Sequence, residues 1–303
     1  MKKKLCNIII YNIMSNILTL KIYSYNILLD DLSSPHFFIN SSPNNLNKNN
    51  RINKLINLLN NEINDNTNIN IFCLQEVGTD IQLSLLYKLF YNYNYNVIYV
   101  GDVLTSYPNR FKLISCESGS ISKLLHNFQN NFSDKQAKLI NSKCKYFIIL
   151  KLIDPVTNKE FIIANTHLIA MDHELKLLQL ILILNVLDNY NNVIFVGDLN
   201  IESYNNILQL ITNGRLQNEF GKYTIQKHYK SAYSISNNFI TIHTSNKITP
   251  AFTEMLDYIF ISPNINVLDC LKLKKRNELI NAEYWPSKNE SSDHTLIWAI
   301  IQF

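Results

Sequence analysis

A chain of 303 residues with 47% hydrophobic content is globular by composition and long enough for one large domain or two small ones. Its net charge of +4 admits an anionic substrate but is far from the field of a protein that coats nucleic acid. The five scattered cysteines, Cys6, Cys73, Cys116, Cys144 and Cys270, form no CxxC pair, which argues against a disulfide framework or a zinc site and favours a reducing compartment such as the cytoplasm.

The first stretch, MKKKLCNIIIYNIMSNIL, has the basic start and apolar run of a signal peptide. Asn7, Asn12 and Asn16 interrupt it and no small-residue cleavage site follows, so residues 1–18 read as an extension, with a targeting segment as the alternative. No later apolar run approaches about 20 residues without polar interruption, so no membrane span is expected. Asn is unusually common, alongside Ile, Lys and Tyr; all have A/T-rich codons, so Asn-rich stretches carry little functional signal.

LTLKIYSYNIL predicts a strand, and NRINKLINLLNNEI a helix with Ile52, Leu55, Ile56 and Leu59 on one face. INIFCLQEV is a strand ending in polar residues, TDIQLSLLYKLF a helix capped by Thr79 or Asp80, and YNVIYVG a strand. Residues 101–143 show no sustained period and are expected to be loops with at most a short strand. KYFIILKLIDPVTNKEFIIANTHL folds back as a hairpin around Asp154, Pro155 and Asn158, and HELKLLQLILILNVLDNY is a helix. NVIFVGDLN is a strand, NNILQLITNG a helix closed by Gly214, and a long irregular stretch precedes the strand LDYIFIS and the final SSDHTLIWAIIQF. Hairpins and crossovers together imply mixed sheets, with residues 19–303 as one domain.

Apolar strands repeatedly end on polar groups: Asn26, Glu76, His167, and Asp198 with Asn200. Asp257 opens another strand, and Asp293 with His294 precede the last. Each has an ordinary explanation: Asn26 as a turn residue, His167 as a satisfied core histidine, Asp257 as a helix cap or ion-pair partner. Glu76, emerging from a buried strand where a lone carboxylate is costly, is less easily explained that way. Strand ends in a layered α/β protein converge on one rim, so together these groups can share a cleft. Carboxylates without cysteine suit Mg²⁺ or Mn²⁺, and such a cation with His and Asn donors suits hydrolysis at phosphorus.

The strings YNIL, LQEV, ANTHL, GDLN, LDYIF and SSDH, in this order and spacing, resemble the endonuclease/exonuclease/phosphatase superfamily over residues 19–303. TNGRL and KSAYSISNN resemble its CCR4-type branch of deadenylases, nocturnin-like phosphatases and 2′-phosphodiesterases. The resemblance implies an α/β (α+β) fold of the DNase I-like kind, a four-layer sandwich of two packed mixed β-sheets flanked by helices. It also implies Glu76 as main metal ligand with Asn26, Asp293 near a second metal position, Asp198 as base, and Asn200 as phosphate holder. His167 and His294 would stabilise phosphoryl charge, Asp257 would hold His294, and Phe252 would stack on a base.

The implied activity is Mg²⁺-dependent hydrolysis of RNA, as a 3′-5′ exoribonuclease of the poly(A)-deadenylase type. Alternatives are a 2′-5′ oligoadenylate phosphodiesterase, a nucleotide phosphatase, an abasic-site DNA endonuclease, or a silent RNA- or protein-binding member. Two departures touch the substrate side: Asp172 stands where poly(A)-cleaving members carry Pro, and ESGSISK (117–123) where the pattern resembles DGxAIFY. Gly119 and Ile121 are expected to keep that strand.

Overall fold

The computed structural model describes residues 17–65, 67–78 and 80–303. Residues 1–16, Thr79 and the side chain of Asp80 lie outside the described set, and with them the targeting segment and the expected cap.

In chain order come β1 (Thr19–Asn26), α1 (Pro43–Leu46), α2 (Lys48–Asn64), β2 (Ile69–Gln75), α3 (Asp80–Asn92), β3 (Tyr95–Val100), β4 (Val103–Pro108) and β5 (Lys112–Ser120). A 3₁₀ segment (Ile121–Asn131) and α4 (Asp134–Ser142) lead to β6 (Tyr146–Asp154), β7 (Lys159–His167), α5 (His173–Leu187), β8 (Val193–Asp198) and α6 (Leu208–Asn213). Six short strands follow: β9 (Arg215–Asn218), β10 (Gly221–Thr224), β11 (Lys230–Ser231), β12 (Phe239–Ile240), β13 (Ile242–Thr244) and β14 (Phe252–Glu254). The chain closes with β15 (Asp257–Ile261), β16 (Asn266–Cys270), β17 (Lys274–Lys275) and β18 (Ile297–Gln302).

Two six-stranded sheets form the centre, one ordered β16-β18-β1-β2-β4-β3 and the other β11-β15-β8-β7-β6-β5. β1 runs parallel to β2, and β7 to β8, while the remaining neighbours pair antiparallel, so both sheets are mixed. Strands covered on both faces carry continuous apolar stretches, as IFCL within β2 and VIFV within β8 do. Ile22, Ile71 and Cys73 of the first sheet share a core with Ile163, Phe195 and Ile259 of the second. On the outer face of the first sheet, Tyr23, Phe72 and Leu74 pack with Leu55, Leu59 and Ile63 of α2 and with Leu86 and Phe90 of α3. The nearly all-buried α5 covers the second sheet and contacts the 3₁₀ segment and α4. These are the four layers of the expected α/β sandwich.

Residues 101–143 overturn the expectation of loops: they hold β4, β5, the 3₁₀ segment and α4. β4 is buried with polar Thr105 and Ser106 inside it, which hides the apolar run. β5 is an outer strand exposed along most of its length, so nothing selects alternation in its sequence. α4 does announce itself, through a capping box between Ser133 and Gln136. Gly119 stays in β5, but Ile121 leaves it and opens the 3₁₀ segment. The irregular stretch before β15 likewise contains the hairpins β9–β10 and β13–β14. The expected hairpin and the Gly214 cap (φ 71°) are both present.

Candidate active site

Strand directions explain why the polar groups meet. β1, β2, β7 and β8 finish at the same rim where β4, β6, β15 and β18 begin. Asn26, Glu76, His167 and Asp198 therefore arrive beside Asp102, Lys145, Asp257 and His294. Glu76, His167, Asp198, Asn200, Phe252, Asp293 and His294 line one cleft of about 460 Å³. Asn26 and Asp257 stand behind it, bonded to Asp198 and His294 respectively. All the sequence-predicted site residues thus belong to one constellation.

Glu76 (φ 54°) and Asn200 (φ 52°) adopt left-handed backbone immediately after their strands, a cost of about 1–3 kcal/mol each that surrounding bonds must offset. The Asn26 amide nitrogen donates to Glu76 Oε1 at 3.0 Å and to Asp198 Oδ2 at 2.9 Å, while its oxygen accepts from Leu28 N at 3.0 Å. Leu29 N donates to Glu76 Oε2 at 3.1 Å. Asn200 gives its backbone N–H to Asp198 Oδ1 at 2.9 Å and its amide to Leu168 O at 2.9 Å. The buried Lys176 ammonium donates to Asn200 O, fixing this turn from below.

Asp198 sits between two imidazoles, with Nε2 of His167 and of His294 each 3.7 Å from its Oδ2. Burial alone would raise its carboxyl, but the His294 and His167 charges and the bonds from Asn26 and Asn200 hold it below the ordinary range. Asp257 lies directly opposite Asp198 across β15 and β8 and accepts from His294 Nδ1 at 2.7 Å. Burial opposes a charged His294, yet the Asp257 and Asp198 carboxylates raise it well above an ordinary imidazole. Asp293 is pushed up to about 6 by burial, against the pull of His294 and with the Glu76 charge adding to the rise.

Sequence reasoning missed three contributors. Asp102 Oδ2 lies 2.8 Å from His167 Nδ1, and Lys145 Nζ lies 3.4 Å from that oxygen and 3.0 Å from the same ring nitrogen. Burial works against its charge, but His167 and Lys145 bring Asp102 down to about 2. Arg51, fully buried on α2, donates to Ser291 O at 2.8 Å and to Ile27 O at 2.9 Å, joining the turns beside Asn26 and Asp293. Asp102 was findable, because it follows the strand YNVIYVG as Glu76 follows IFCLQ. On the substrate side, half-buried Phe252 reaches the cleft from β14, and Asp172 caps α5 by accepting from Leu175 N at 3.0 Å.

Oxygen donors dominate, as a hard divalent cation requires. Asp198, Asp257 and His294 place ligand atoms within 4.8 Å of one another and could hold an ion. The 2.7 Å Asp257–His294 bond holds a proton on Nδ1 and leaves only His294 Nε2, 3.7 Å from Asp198, to face an ion. Glu76 and Asp293 present carboxylates to the open cleft without such a bond to a histidine nearer than 3.9 Å for Glu76. The Asn26 oxygen already accepts from Leu28 N and keeps one lone pair for a cation.

The model of the Endonuclease/Exonuclease/phosphatase family matches residues 23–294. The chain belongs to this family. Members of the Endonuclease/Exonuclease/phosphatase family are phosphoesterases and nucleases, and the chain is a phosphoric ester hydrolase of that kind. A curated relative, the probable CCR4-Not complex 3′-5′-exoribonuclease subunit Ccr4 of Enterocytozoon bieneusi, is 25% identical over 272 residues, covering 78% of this chain and 56% of the relative. The chain thus spans about half the length of that relative. Among solved structures, ANGEL2, a 2′,3′-cyclic phosphatase, in complex with adenosine-2′,3′-vanadate superposes with a TM-score of 0.79 at 18% identity, covering 95% of this chain and 96% of the other. The human Nocturnin catalytic domain with bound sulfate gives 0.62 at 19% identity, covering 94% and 93%. These relatives match the CCR4-type branch to which the short strings pointed.

Proposed function

We propose that the chain is a divalent-metal-dependent phosphodiesterase acting on RNA, a 3′-5′ exoribonuclease of the deadenylase type that releases 5′-AMP. The observation that carries this reading is Asp198, buried and ionised between two imidazoles in the cleft that also holds Glu76, Asn200 and Phe252. Asp198 accepts the proton of the attacking water, whose oxygen bonds to phosphorus as the bond to the leaving ribose oxygen breaks. Asn200 orients the phosphate, and His294, kept protonated by Asp257, donates to the phosphoryl oxygens with His167 opposite. Glu76, with Asn26 and Asp293, holds Mg²⁺ or Mn²⁺, which when bound supplies charge stabilisation on the phosphoryl group. Phe252 stacks on a base, an interaction worth about 1–3 kcal/mol.

A second reading, hydrolysis of a 2′,3′-cyclic phosphodiester, is favoured by the higher TM-score to ANGEL2. No helix of the described residues is long and apolar enough to cross a membrane, and Cys73, Cys116, Cys144 and Cys270 are free thiols. Both are in keeping with a cytoplasmic enzyme. The test is a substrate panel, with and without Mg²⁺: oligo(A), mixed RNA, 2′-5′ oligoadenylate, 2′,3′-cyclic-phosphate RNA, NADPH and abasic DNA. Release of 5′-AMP from oligo(A), lost in EDTA, is expected; cleavage of abasic DNA alone would overturn the RNA assignment.

A further inference from the structure

The cleft runs between loops that rise from opposite sheets, and at one end those loops are joined. Residues 28–41 follow β1 of the first sheet and contribute Leu32, Phe37 and Phe38 to the lining. Residues 245–251, between β13 and β14 ahead of β15 of the second sheet, contribute Asn246, Ile248 and Thr249. Lys247 N donates to Phe37 O at 3.0 Å, and Asn40 donates its amide to Ser245 Oγ at 2.7 Å. The second loop is itself braced: Asn246 Oδ1 accepts from Ile248 N at 2.9 Å and Thr249 N at 2.8 Å, and Ser245 Oγ accepts from Ala251 N at 3.3 Å.

At the opposite end, among the described residues, the crevice is crossed by the Asp102–Lys145 pair at 3.4 Å, at the level where β4 and β6 begin. That contact lies against His167, whose Nδ1 is 2.8 Å from Asp102 and 3.0 Å from Lys145. Its lysine lines the cleft and offers a cation to a polyanion passing out on that side. The loops after β1 and before β15 are therefore joined to each other by two hydrogen bonds, while on the β4 and β6 side the crossing contact is a single ion pair.

We propose that the Asn40–Ser245 and Phe37–Lys247 bridge is an end-stop: it makes the cleft blind, so that a strand enters by its terminus and an internal segment cannot be threaded past the catalytic groups. This rests on the nuclease reading above and assigns its restriction to chain ends to residues outside the catalytic set. A strand entering the blind end meets Phe252, and the remaining chain leaves over Lys145.

The test compares linear and covalently circular RNA of one A-rich sequence, in Mg²⁺, for the wild type, Ser245→Ala, and Asn40→Ala combined with Lys247→Pro, which removes the donating N–H. The wild type is expected to cut the linear form faster than the circle by about a hundredfold or more. Variants that melt cooperatively and still cut linear RNA are expected to gain full-length linear product from the circle, Ser245→Ala less than the double variant. A wild type that opens circles as fast as it trims linear RNA overturns the end-stop and leaves the nuclease reading standing. So does a folded double variant that trims linear RNA and never opens circles. Inactivity on both RNAs overturns the nuclease reading and the inference with it.

Discussion

Two Asp–His pairs flank Asp198, and they are built differently. Asp257 is buried and bonded to His294 Nδ1 at 2.7 Å, so one carboxylate serves one imidazole and holds its proton in place. Asp102 faces two partners: His167 Nδ1 at 2.8 Å and Lys145 Nζ at 3.4 Å, with Lys145 also 3.0 Å from the ring nitrogen. A ring nitrogen cannot donate to Asp102 and accept from Lys145 at once, so His167 is held less firmly in one tautomer. The His294 side is a fixed donor, and the His167 side an adjustable one.

The largest effect expected from this contrast is on Asp257→Asn, which should lower kcat by about 10²–10³ while the protein folds normally, since His294 loses what keeps it charged. Steady-state kinetics alongside a thermal melt check it, and an unchanged kcat would remove the distinction between the pairs. Next in size is a stability effect with a defined pH window. The folded-state pKa of Asp102 lies at about 2, below its ordinary value of 3.8. Its contribution is therefore present above about pH 4 and lost as pH falls through about 2, amounting to about 2 kcal/mol at neutral pH. Urea unfolding of wild type and Asp102→Asn should show a constant gap from pH 7 to about 4 that narrows below it. His294 has the opposite sign: its raised pKa stabilises fully below its ordinary 6.5, and the gain fades as pH rises through the folded value.

A smaller effect is expected in turnover for Asp102→Asn, about tenfold, because Lys145 still bonds the His167 ring. A loss as deep as that of Asp257→Asn would show the two pairs to be equivalent. Smallest is the coupling between Asp102→Asn and Lys145→Met. A double-mutant cycle on kcat/KM should return about 0.5–1 kcal/mol, whereas additive effects would mean that Lys145 acts apart from the pair.

The same contrast marks what the sequence could reveal. Asp257 and His294 stand in LDYIF and SSDH, next to regular strands whose apolar pattern locates them, so their place on the rim was legible, while their partnership came only from the family resemblance. Asp102 and Lys145 bound residues 101–143, where β4 carries buried Thr and Ser and β5 lies on an exposed edge. Their patterning follows cross-sheet neighbours and exposure, neither of which has a period in sequence. Strand order was legible only in part, because parallel pairing of β1 with β2 and β7 with β8 follows from packing helices over both outer faces. Arg51 and Lys176 were illegible for another reason: a buried cation bonded to backbone carbonyls looks, in sequence, like a solvated helix residue.

We propose that Glu76 holds the divalent cation in a phosphodiester-cleaving cleft. It is tested most directly by measuring hydrolysis of oligo(A) against Mg²⁺ concentration after EDTA treatment, for wild type and Glu76→Gln. Wild-type activity should vanish in EDTA and return with Mg²⁺, and Glu76→Gln should need far more Mg²⁺ and recover only a small fraction of the rate. Activity that survives EDTA, or a Glu76→Gln variant with the wild-type Mg²⁺ response, would rule out Glu76 as the metal ligand.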